Sequence, residues 1–509
     1  MQVSANTVTF SVALPDGALP PEYLDESGKV SVLANAVAGT MDIVSRAEVT
    51  ALERLRAGAS VAEDSTTLAG LRDRGYVFDD PVVEDANYRG VVDGYFEAIK
   101  EAPFQFMFIP SFVCNLACPY CFEGELTRKS PRMTEEMIDA AFDSIPMIQE
   151  LHENSGPPYI TLFGGEPLLD TAPQRESIEQ ILSRAYDRGY PVTAITNGVA
   201  LDAYVPMLLE YGCEEVQVSL DGTPEVHDTR RVFRNGKPTF KLIERSIDVA
   251  AAAGLRVLIR VLVDLDSVGQ MPEFAEFALA KGWIDNPKIR LFYGFTKQTS
   301  FLYVTPDHPP EKREKMVRGD VKPSLQEAFY RMLRDNPLVD RMLEPDPARI
   351  RAAVLEGDRV RPNLQGCSAG TSVVAFDPNG KVYGCPETVG RPQHACGDYF
   401  PGFRYSGGYR EPWRHRHVDT VEMCRECNVK LFCGGGGCPI KAWAASGGDF
   451  NTCYCPKVST IKTRVESELA YLLPMALQRR QSRTASGSPE KGMGTWDQMT
   501  TVGSFPWMT

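Results

Sequence analysis

Three cysteines lie close together in the segment CNLACPYC, residues 114–121. Cys114, Cys118 and Cys121 give this segment a C-x3-C-x2-C spacing. Thiolates are the usual protein ligands of iron–sulfur clusters and also bind structural zinc, and both kinds of site normally take four ligands. No other Cys or His lies between residues 100 and 140 to close a zinc site. The spacing therefore predicts a metal cluster with one open coordination position, as catalytic metal sites keep.

Alternating strands and helices from residue 104 onward must position this cysteine loop. About six βα units predict a parallel sheet with right-handed crossovers, built as a partial barrel or as an open doubly wound sheet. In both folds the chemistry lies at the carboxyl ends of the strands. The cysteine loop and the motifs GGEP, TNG and SLDG each lie at the end of a predicted strand, so we expect them to meet at one end of the sheet. The predicted strands are FQFMFIP, YITLFGG, VTAITNG, EVQVSLDG, RVLIRVLVD and KIRLFYG.

The segment CNLACPYC resembles the signature of radical S-adenosylmethionine (radical SAM) enzymes, in which C-x3-C-x2-C holds a [4Fe–4S] cluster. The resemblance covers about residues 104–300 and implies a partial (βα)6 TIM-like barrel. It also implies that the amino and carboxylate groups of S-adenosylmethionine fill the open iron position. In that family the reduced cluster cleaves the sulfonium C–S bond, and the resulting 5′-deoxyadenosyl radical abstracts a substrate hydrogen atom.

The same resemblance assigns parts of S-adenosylmethionine to the next two strand ends. GGEP, with Gly164, Gly165 and Glu166, resembles the segment that receives the methionine amino group. A carboxylate suits an ammonium group, and glycines permit close approach of the backbone. TNG, with Thr196 and Asn197, resembles the strand end that contacts the ribose.

The methionine carboxylate and the adenine have their own candidate partners. Ser219 and Arg231, in SLDG…HDTRR, resemble the pair that holds the carboxylate in related enzymes. An arginine suits this role because its guanidinium can grip a carboxylate through two N–H donors. Tyr120 and Phe122 flank Cys121, and we expect them to face the adenine.

Nine further cysteines lie between residues 367 and 455. This segment resembles the SPASM extension of radical SAM enzymes, which binds two auxiliary [4Fe–4S] clusters. Cys367, Gly380 and Cys385 fit the family pattern C-x9–15-G-x4-C. The later pattern C-x2-C-x5-C-x3-C also fits, except that four residues instead of three separate Cys433 from Cys438.

The SPASM resemblance implies a ligand set for each auxiliary cluster. Cys396 is the candidate fourth ligand of the nearer cluster, and the alternative is an open iron there. Either Cys453 or Cys455 completes the farther cluster. The nearer cluster is expected on Cys367, Cys385 and Cys438, and the farther one on Cys424, Cys427 and Cys433.

Residues 1–100 are predicted to form a separate small domain. Ser45 and Glu48 make a capping box for a helix that ends at Gly58, and a second helix ends at Gly75 before the strand-like YVFDD. Helices followed by a short hairpin indicate a winged-helix unit, and the alternative is a helical cap on the main domain. The unit resembles the leader-recognition domains of enzymes that modify ribosomally made peptides, in which an exposed strand pairs with the leader.

The rest of the chain divides by composition. The barrel is expected over 101–300, a bridging region over 301–366, the SPASM domain over 367–475 and a flexible tail over 476–509. Trp496, Phe505 and Trp507 lie in that polar tail and either dock in a groove or belong to a disordered terminus. Cys213, alone at the start of a predicted strand, is interpreted as a core residue.

Overall composition limits the classes of function. The 509 residues carry a net charge of −13, and no dense Lys/Arg block is present, which argues against nucleic-acid and anionic-membrane binding. The N-terminal segment lacks the features of a secretory signal, and no apolar stretch is long enough to span a bilayer. Thirteen cysteines in a reducing compartment favour metal or redox chemistry over disulfides. We therefore expect a cytoplasmic protein of two to four domains.

Together these features predict a radical SAM enzyme that matures a ribosomally made precursor peptide by a crosslink, an oxidation or a rearrangement. Its expected cofactors are S-adenosylmethionine and three [4Fe–4S] clusters, and its expected partners are the precursor peptide and a reductant such as flavodoxin or ferredoxin. A sulfatase-maturating enzyme is the first alternative, although Pro386 follows Cys385 where that family carries an Asp. A non-catalytic electron carrier or peptide-binding scaffold is the second. No residue is assigned as the base, and the acidic candidates are Glu387, Asp264 and Asp377.

Overall fold

The structure is a computed structural model. It describes residues 1–59, 66–127, 130–296, 299–317, 323–343, 349–405, 413, 415–455 and 458–486. The tail aromatics Trp496, Phe505 and Trp507 lie outside these residues. No helix in the described ranges is both long enough and apolar enough to cross a membrane.

The N-terminal unit begins with strands and continues with helices. Its central strands form a three-stranded antiparallel sheet in the order β2-β3-β4, and β1 pairs with β5. The predicted capping box is present, since the Ser45 side chain accepts from the Glu48 backbone while Glu48 accepts from the Ser45 backbone. The elements are β1 (Gln2–Val3), β2 (Thr7–Ala13), β3 (Lys29–Asn35), β4 (Thr40–Val44), α1 (Arg46–Arg56), α2 (Thr66–Asp73) and β5 (Val77–Phe78).

The expected hairpin after α2 takes a different form. Strand β5 closes on β1 at the start of the chain, with Val77 opposite Val3. The chain cannot continue as a second hairpin strand because Asp80 caps a new helix, α3 (Pro81–Glu101), and Pro81 occupies its first turn. Helix α3 was not predicted from the sequence, because it has no buried residue and so shows no clear apolar face.

Helix α3 links the N-terminal unit to the barrel and packs on the cysteine-rich region. The Tyr88 hydroxyl donates to Asp419 Oδ1 at 2.7 Å. Further along, the ring of Phe96 meets His417 edge-on, with 5.0 Å between centroids. These contacts fix the N-terminal unit against the region that carries the later cysteines.

A ten-stranded sheet forms the centre of the molecule in the order β11-β10-β9-β8-β7-β6-β12-β13-β14-β15. Strands β6 to β11 are parallel and follow one another in chain order, so the predicted α/β fold with a partial barrel is confirmed. Strands of this region are β6 (Phe104–Phe108), β7 (Pro158–Leu162), β8 (Val192–Thr196), β9 (Cys213–Ser219), β10 (Arg256–Val263) and β11 (Ile289–Phe295). The helices are α4 (Glu135–Leu151), α5 (Ala172–Asp187), α6 (Leu201–Glu210), α7 (Pro224–Arg230), α8 (Phe240–Ala252) and α9 (Met271–Ala280).

Strand β6 lies inside the sheet and is buried along its whole length. A strand covered on both faces reads as a continuous apolar run, and Phe104, Phe106 and Phe108 are each 0% exposed. Cys213 is likewise buried at the start of β9, as predicted. The rigid β6 therefore provides a fixed base for the cysteine loop that follows it.

The cysteine-rich region extends the same sheet instead of packing as a detached unit. Strand β12 pairs with β6 in parallel, with Val373 opposite Gln105, and β13 to β15 continue antiparallel. The strands are β12 (Val373–Phe376), β13 (Lys381–Tyr383), β14 (Ala395–Asp398) and β15 (Arg404–Tyr405). The helices from residue 310 onward are α10 (Pro310–Val317), α11 (Pro323–Asp335), α12 (Pro337–Met342), α13 (Arg349–Leu355), α14 (Glu422–Arg425), α15 (Lys430–Cys433), α16 (Pro439–Ser446) and α17 (Val458–Ser486).

Helix α17 returns the chain to the N-terminal unit. Its Glu466 Oε1 accepts the backbone N–H of Ser11, on the edge strand β2, at 2.9 Å. The helix runs on to Ser486, so it includes the first part of the segment predicted as a flexible tail from residue 476.

Candidate functional site

The cysteine loop lies at the carboxyl end of β6 and is held by residues that come much later in the chain. Arg234 donates through Nε to the Cys114 carbonyl at 3.0 Å and through Nη2 to the Thr127 carbonyl at 2.9 Å. The Ala117 N–H donates to the Val232 carbonyl at 3.0 Å. This role of Arg234 was not predicted from the sequence, because a single arginine carries no local signal for such a contact.

Burial opposes ionisation of the three thiols. It raises the pKa of Cys114 and Cys121 to about 12 and also raises the pKa of Cys118. Thiolates are the ligand form, so these groups need the positive charge of a bound metal to lose their protons at neutral pH. Three partly buried thiols in one loop are a donor set that suits a cluster with one open position.

Glu166 joins two of the predicted motifs. It is 2% exposed and accepts the Thr196 hydroxyl and the Asn197 N–H, each at 2.6 Å. The Leu168 N–H also donates to Glu166, at 2.8 Å. The residues expected to hold the amino group and the ribose therefore meet at one point, and Glu166 fixes their geometry.

The two glycines of GGEP allow the chain to pass against the cysteine loop. Gly165 has φ +52°, and a Cβ atom there would lie 2.5 Å from the backbone of Phe112. Gly164 has φ +78°, and its Cβ would lie 2.4 Å from Ile109. Only glycine fits such positions.

Replacing Gly165 with alanine is expected to destabilise the protein by several kcal/mol, because the new methyl group meets backbone that cannot move aside. Gly189→Ala is the matched control, since Gly189 has φ +67° but no atom within 4 Å of a Cβ. That change should cost only about 1–2 kcal/mol, the price of the left-handed conformation. Urea unfolding of both variants measures the difference, and equal losses would contradict this explanation.

Asn197 and Phe122 bring the other predicted contacts to the loop. Asn197 Nδ2 donates to Asn115 Oδ1 at 2.8 Å and lies 3.9 Å from the sulfur of Cys114. Phe122 stacks on Phe163, which follows β7, with 6.3 Å between ring centroids. An apolar ring pair thus lines one side of the cysteine loop, as a site for a planar base would require.

Arg231 lies in a buried group with Tyr120 and Asp221. Its Nη1 donates to the Tyr120 hydroxyl at 2.9 Å, and that hydroxyl donates to Asp221 Oδ2. Tyr120 was expected to face the adenine, but its hydroxyl is directed into this charged group. Asp221 was not singled out, although SLDG contains it. Ser219 ends β9, two residues before Asp221.

Buried polar atoms without a partner cluster near the thiols. They include Arg231 Nε, Asp221 Oδ1 and Glu123 Oε1. Burial raises the pKa of Asp221 and raises that of Glu123 to about 7. A zwitterion that carries an ammonium and a carboxylate would satisfy such atoms, so the residues fit the methionine part of S-adenosylmethionine.

His227 supports Arg231 from behind. Its Nδ1 accepts the Asp221 N–H at 3.1 Å, so the proton resides on Nε2, which lies 3.1 Å from the Thr239 hydroxyl. That hydroxyl in turn donates to the Arg231 carbonyl. Burial and the Arg231 charge lower the pKa of His227 to about 3, so the imidazole is neutral at working pH.

This arrangement predicts a pH dependence of stability. The unfolded histidine binds its proton near pH 6.5, whereas the folded one does so only near pH 3. The stabilising contribution is therefore complete above about pH 6.5 and is lost as the pH falls toward 3, with a slope of about 1.4 kcal/mol per unit. The free energy of unfolding, measured from pH 8 to 4, should fall with this slope in the natural protein. The slope should be absent in His227→Gln when both proteins are compared with their own values at pH 8. Parallel profiles for the two proteins would contradict the linkage.

The nine later cysteines separate into two groups. Cys385 interacts electrostatically with Cys367 and Cys438, the three thiols expected to hold the nearer cluster. Cys396 is 2% exposed, and a Cβ on Gly384 would lie 3.4 Å from its sulfur. It therefore lies beside the chain that leads into Cys385.

The second group contains every thiol expected at the farther cluster. The sulfurs of Cys424 and Cys453 are 3.9 Å apart. Cys455 interacts electrostatically with Cys427 and Cys433. Both Cys453 and Cys455 thus lie in the group. The thirteen cysteines all lie within the described residues, and none of them forms a disulfide.

The cysteine-rich region also touches the first cysteine loop. Arg391 Nη2 donates to the carbonyl of Phe122 at 2.5 Å, and the Tyr303 hydroxyl donates to the same carbonyl at 3.3 Å. The Arg391 guanidinium lies over the Tyr303 ring, 4.6 Å from its centroid. A direct protein path therefore connects the residue next to Cys121 with the region of the later thiols.

The acidic candidates for a base have different surroundings. Asp264 pairs with Arg230 at 2.6 Å. Asp377 is fully buried and accepts the Asn379 and Lys381 N–H groups in the turn between β12 and β13. Glu387 interacts electrostatically with Cys385. The carboxylates of Asp264 and Asp377 are thus held by structural contacts. Among the three acidic candidates, Glu387 is the residue that lies beside a predicted cluster ligand.

The model of the radical SAM superfamily matches residues 108–278. This chain contains a radical SAM domain. The matched range runs from the last residue of β6 into α9, and it includes the cysteine loop, GGEP, TNG, Ser219 and Arg231. The predicted radical SAM enzyme is confirmed.

Curated relatives resemble the chain well beyond the radical SAM domain. Mycofactocin maturase MftC from Mycobacterium ulcerans is 27% identical over 353 residues, which cover 67% of this chain and 84% of the relative. The serine-type anaerobic sulfatase-maturating enzyme from Bacteroides thetaiotaomicron is 25% identical over 367 residues, which cover 64% and 80%. The solved structure of native anSMEcpe with bound AdoMet has a TM-score of 0.53 at 18% identity and covers 74% of this chain and 99% of that one. The structural likeness extends the shared fold beyond the radical SAM domain.

Proposed function

We propose that this chain binds S-adenosylmethionine at a [4Fe–4S] cluster on Cys114, Cys118 and Cys121 and modifies a ribosomally made precursor peptide. The observation that carries the proposal is the placement of three partly buried thiols beside Arg231 and Asp221, which have unpartnered atoms, at the carboxyl end of the sheet. When bound, the cluster would supply the electron that cleaves S-adenosylmethionine and generates a radical able to abstract hydrogen.

The protein's own residues bind and orient in this proposal. Arg231 grips the methionine carboxylate with the N–H groups that face the site, and His227 with Thr239 holds the Arg231 backbone in place. Glu166 fixes the strand ends that receive the amino group and the ribose. Phe122 and Phe163 cover the loop with apolar surface that restricts water.

A peptide substrate is inferred from the relatives and from the cysteine-rich region. The MftC relatives are named as maturases, and the alignment extends over 67% of this chain, well past the radical SAM domain. The two later thiol groups suit the auxiliary [4Fe–4S] clusters of a SPASM domain. We assign the nearer cluster to Cys367, Cys385 and Cys438, with Cys396 or an open iron as the fourth position. The farther cluster is assigned to Cys424, Cys427 and Cys433 with Cys453 or Cys455.

We assign leader recognition to the N-terminal unit and specifically to strand β4. Helix α17 contacts the edge strand β2 of the three-stranded sheet, as the Ser11 to Glu466 bond illustrates. The opposite edge is β4 (Thr40–Val44), which within the described residues pairs with β3 alone. A strand with one neighbour in the sheet can add a strand from an extended peptide on its other side.

A precursor without its leader should then be processed with a kcat/KM at least about tenfold lower, because about 1.4 kcal/mol of binding is lost with the added strand. Supplying the leader as a separate peptide should restore little, because the core peptide is no longer tethered. Steady-state kinetics on intact and truncated precursor measures this. Equal kcat/KM values would exclude leader recognition.

The proposal is tested by anaerobic reaction of the reconstituted protein with a chemical reductant, S-adenosylmethionine and a precursor peptide encoded beside its gene. We expect 5′-deoxyadenosine and a peptide of altered mass. If 5′-deoxyadenosine forms but no precursor peptide encoded near the gene changes its mass, the function is limited to radical generation. No cleavage by a protein with a full iron content would reject the proposal.

A sulfatase-maturating reaction is the second candidate, favoured by the relative from Bacteroides thetaiotaomicron. In this chain Pro386 follows Cys385, and the first acidic residue is Glu387. A formylglycine in a sulfatase-derived peptide reacts with hydrazine reagents. If these reagents do not label the sulfatase-derived peptide while the encoded precursor changes its mass, the result supports precursor maturation and excludes formylglycine formation.

A further inference from the structure

Arg416 is a buried cation inside the cysteine-rich region. It is 5% exposed. Its Nη1 donates to the carbonyls of Phe450 at 2.6 Å and Thr452 at 2.9 Å, and its Nη2 donates to the carbonyl of Gly436 at 2.5 Å. All three acceptors are backbone carbonyls, which satisfy hydrogen bonds but do not neutralise the charge.

The thiols around Arg416 come from both cysteine groups. Its electrostatic neighbours are Cys453 and Cys424 of the farther group and Cys438 and Cys367 of the nearer group. Isolated buried charges are unfavourable unless opposite charge lies close by. Four of these thiols interact with the guanidinium electrostatically, and as cluster ligands they would be anionic and would balance its charge.

The loop CGGGGC is shaped around this guanidinium. Gly434, Gly435, Gly436 and Gly437 all have left-handed φ values, of +83°, +75°, +64° and +66°. A Cβ on Gly436 would lie 2.1 Å from Arg416 Nη2. The Gly436 N–H donates to the sulfur of Cys424 at 3.1 Å. This loop is also the one that departs from the SPASM spacing by one residue, so the extra glycine belongs to the turn that encloses Arg416.

We propose that Arg416 is an internal cation shared by the two auxiliary cluster sites, where it favours the reduced state of both clusters and raises their reduction potentials. The inference rests on the auxiliary clusters of the proposed function. One-electron reduction adds one negative charge to a cluster and breaks no bond, the electron coming from the external reductant. A fixed positive charge stabilises that added charge, and more strongly where water is excluded.

The test uses the full chain with Cys114, Cys118 and Cys121 replaced by alanine, so that only auxiliary clusters remain. Iron and sulfide analysis and a dithionite titration followed by electron paramagnetic resonance give cluster content and midpoint potentials. In this background Arg416→Gln should lower the equilibrium constant for reduction of each cluster at least tenfold, which is about 59 mV for one electron. Arg416→Lys keeps the charge and should shift each potential by less than half as much.

Arg425→Gln is the matched control. Arg425 is exposed and follows Cys424 directly, so solvent screens its charge, and removing it should leave both potentials nearly unchanged. Unchanged potentials in Arg416→Gln, or equal shifts in the Gln and Lys variants, would overturn the proposal. If Arg416→Gln loses its iron while Arg416→Lys keeps both clusters at background potentials, the positive charge itself is required there, as proposed. A tenfold change in the lysine variant overturns the proposal.

Failure of the underlying function gives a different result. A background protein without iron or sulfide would remove the auxiliary clusters themselves, and the inference with them. A background protein with both clusters but no response to Arg416 substitution would overturn the inference alone.

Discussion

Replacing Cys118 with alanine should lower the rate of reductive cleavage of S-adenosylmethionine by more than about 100-fold. Loss of a residue that only supports a metal ligand can already lower activity by about 100-fold, and Cys118 is expected to be a ligand itself. The thiol is one of only three in the loop, so its removal leaves two ligands for a cluster that already has an open position. Cluster content and 5′-deoxyadenosine formation should decline together. The later thiol groups lie elsewhere in the chain, so iron in the proposed auxiliary clusters should remain.

Cys213→Ala is the control for this experiment. Cys213 is 6% exposed in the barrel core, and burial raises its pKa to about 12. Its loss should cost about 1 kcal/mol of stability and leave cleavage unchanged. Full activity in Cys118→Ala, or equal loss in both variants, would contradict the assignment of the loop as the cluster site.

Arg231→Lys should weaken S-adenosylmethionine binding roughly 10–150-fold, the equivalent of the 1.5–3 kcal/mol that a hydrogen bond to a charged group contributes. Lysine keeps a positive charge but loses the planar pair of donors and the bond to Tyr120. Equilibrium binding of S-adenosylmethionine to the reconstituted protein measures the effect, and the KM should rise in parallel.

The neighbouring arginine provides the comparison. Arg230 pairs with Asp264 at 2.6 Å, and a lysine there can keep the pair. Arg230→Lys should therefore change affinity by less than about threefold, the scale of a partly exposed ion pair. Similar losses for the two substitutions would show that the effect comes from general destabilisation of the segment and not from contact with the carboxylate.

The parts of the site that sequence predicts are those linked to a strand end. GGEP, TNG and Ser219 each follow a strand with clear β character, and parallel strands bring their carboxyl ends to one edge. The contact of Glu166 with Thr196 and Asn197 is a direct consequence of that topology. Local pattern and chain order were sufficient here.

The parts that escaped prediction depend on contacts between distant residues. Arg234 reaches back to the carbonyl of Cys114, and Arg416 lies between two thiol groups, yet a lone arginine has no periodicity to reveal either role. The pairing of β12 with β6 joins residues far apart in sequence, and nothing in either segment specifies its partner. The direction of the Tyr120 hydroxyl likewise follows from Asp221 and Arg231, which only the folded chain brings to it.

In the proposed function, a radical formed at the first cysteine loop takes hydrogen from a peptide. A precursor peptide deuterated at one residue type at a time, incubated with the reduced protein and S-adenosylmethionine, tests this transfer. We expect 5′-deoxyadenosine to gain one deuterium with one labelled residue type, and the peptide mass to change in step. Unlabelled 5′-deoxyadenosine from every deuterated peptide, beside full conversion of the peptide, would contradict it.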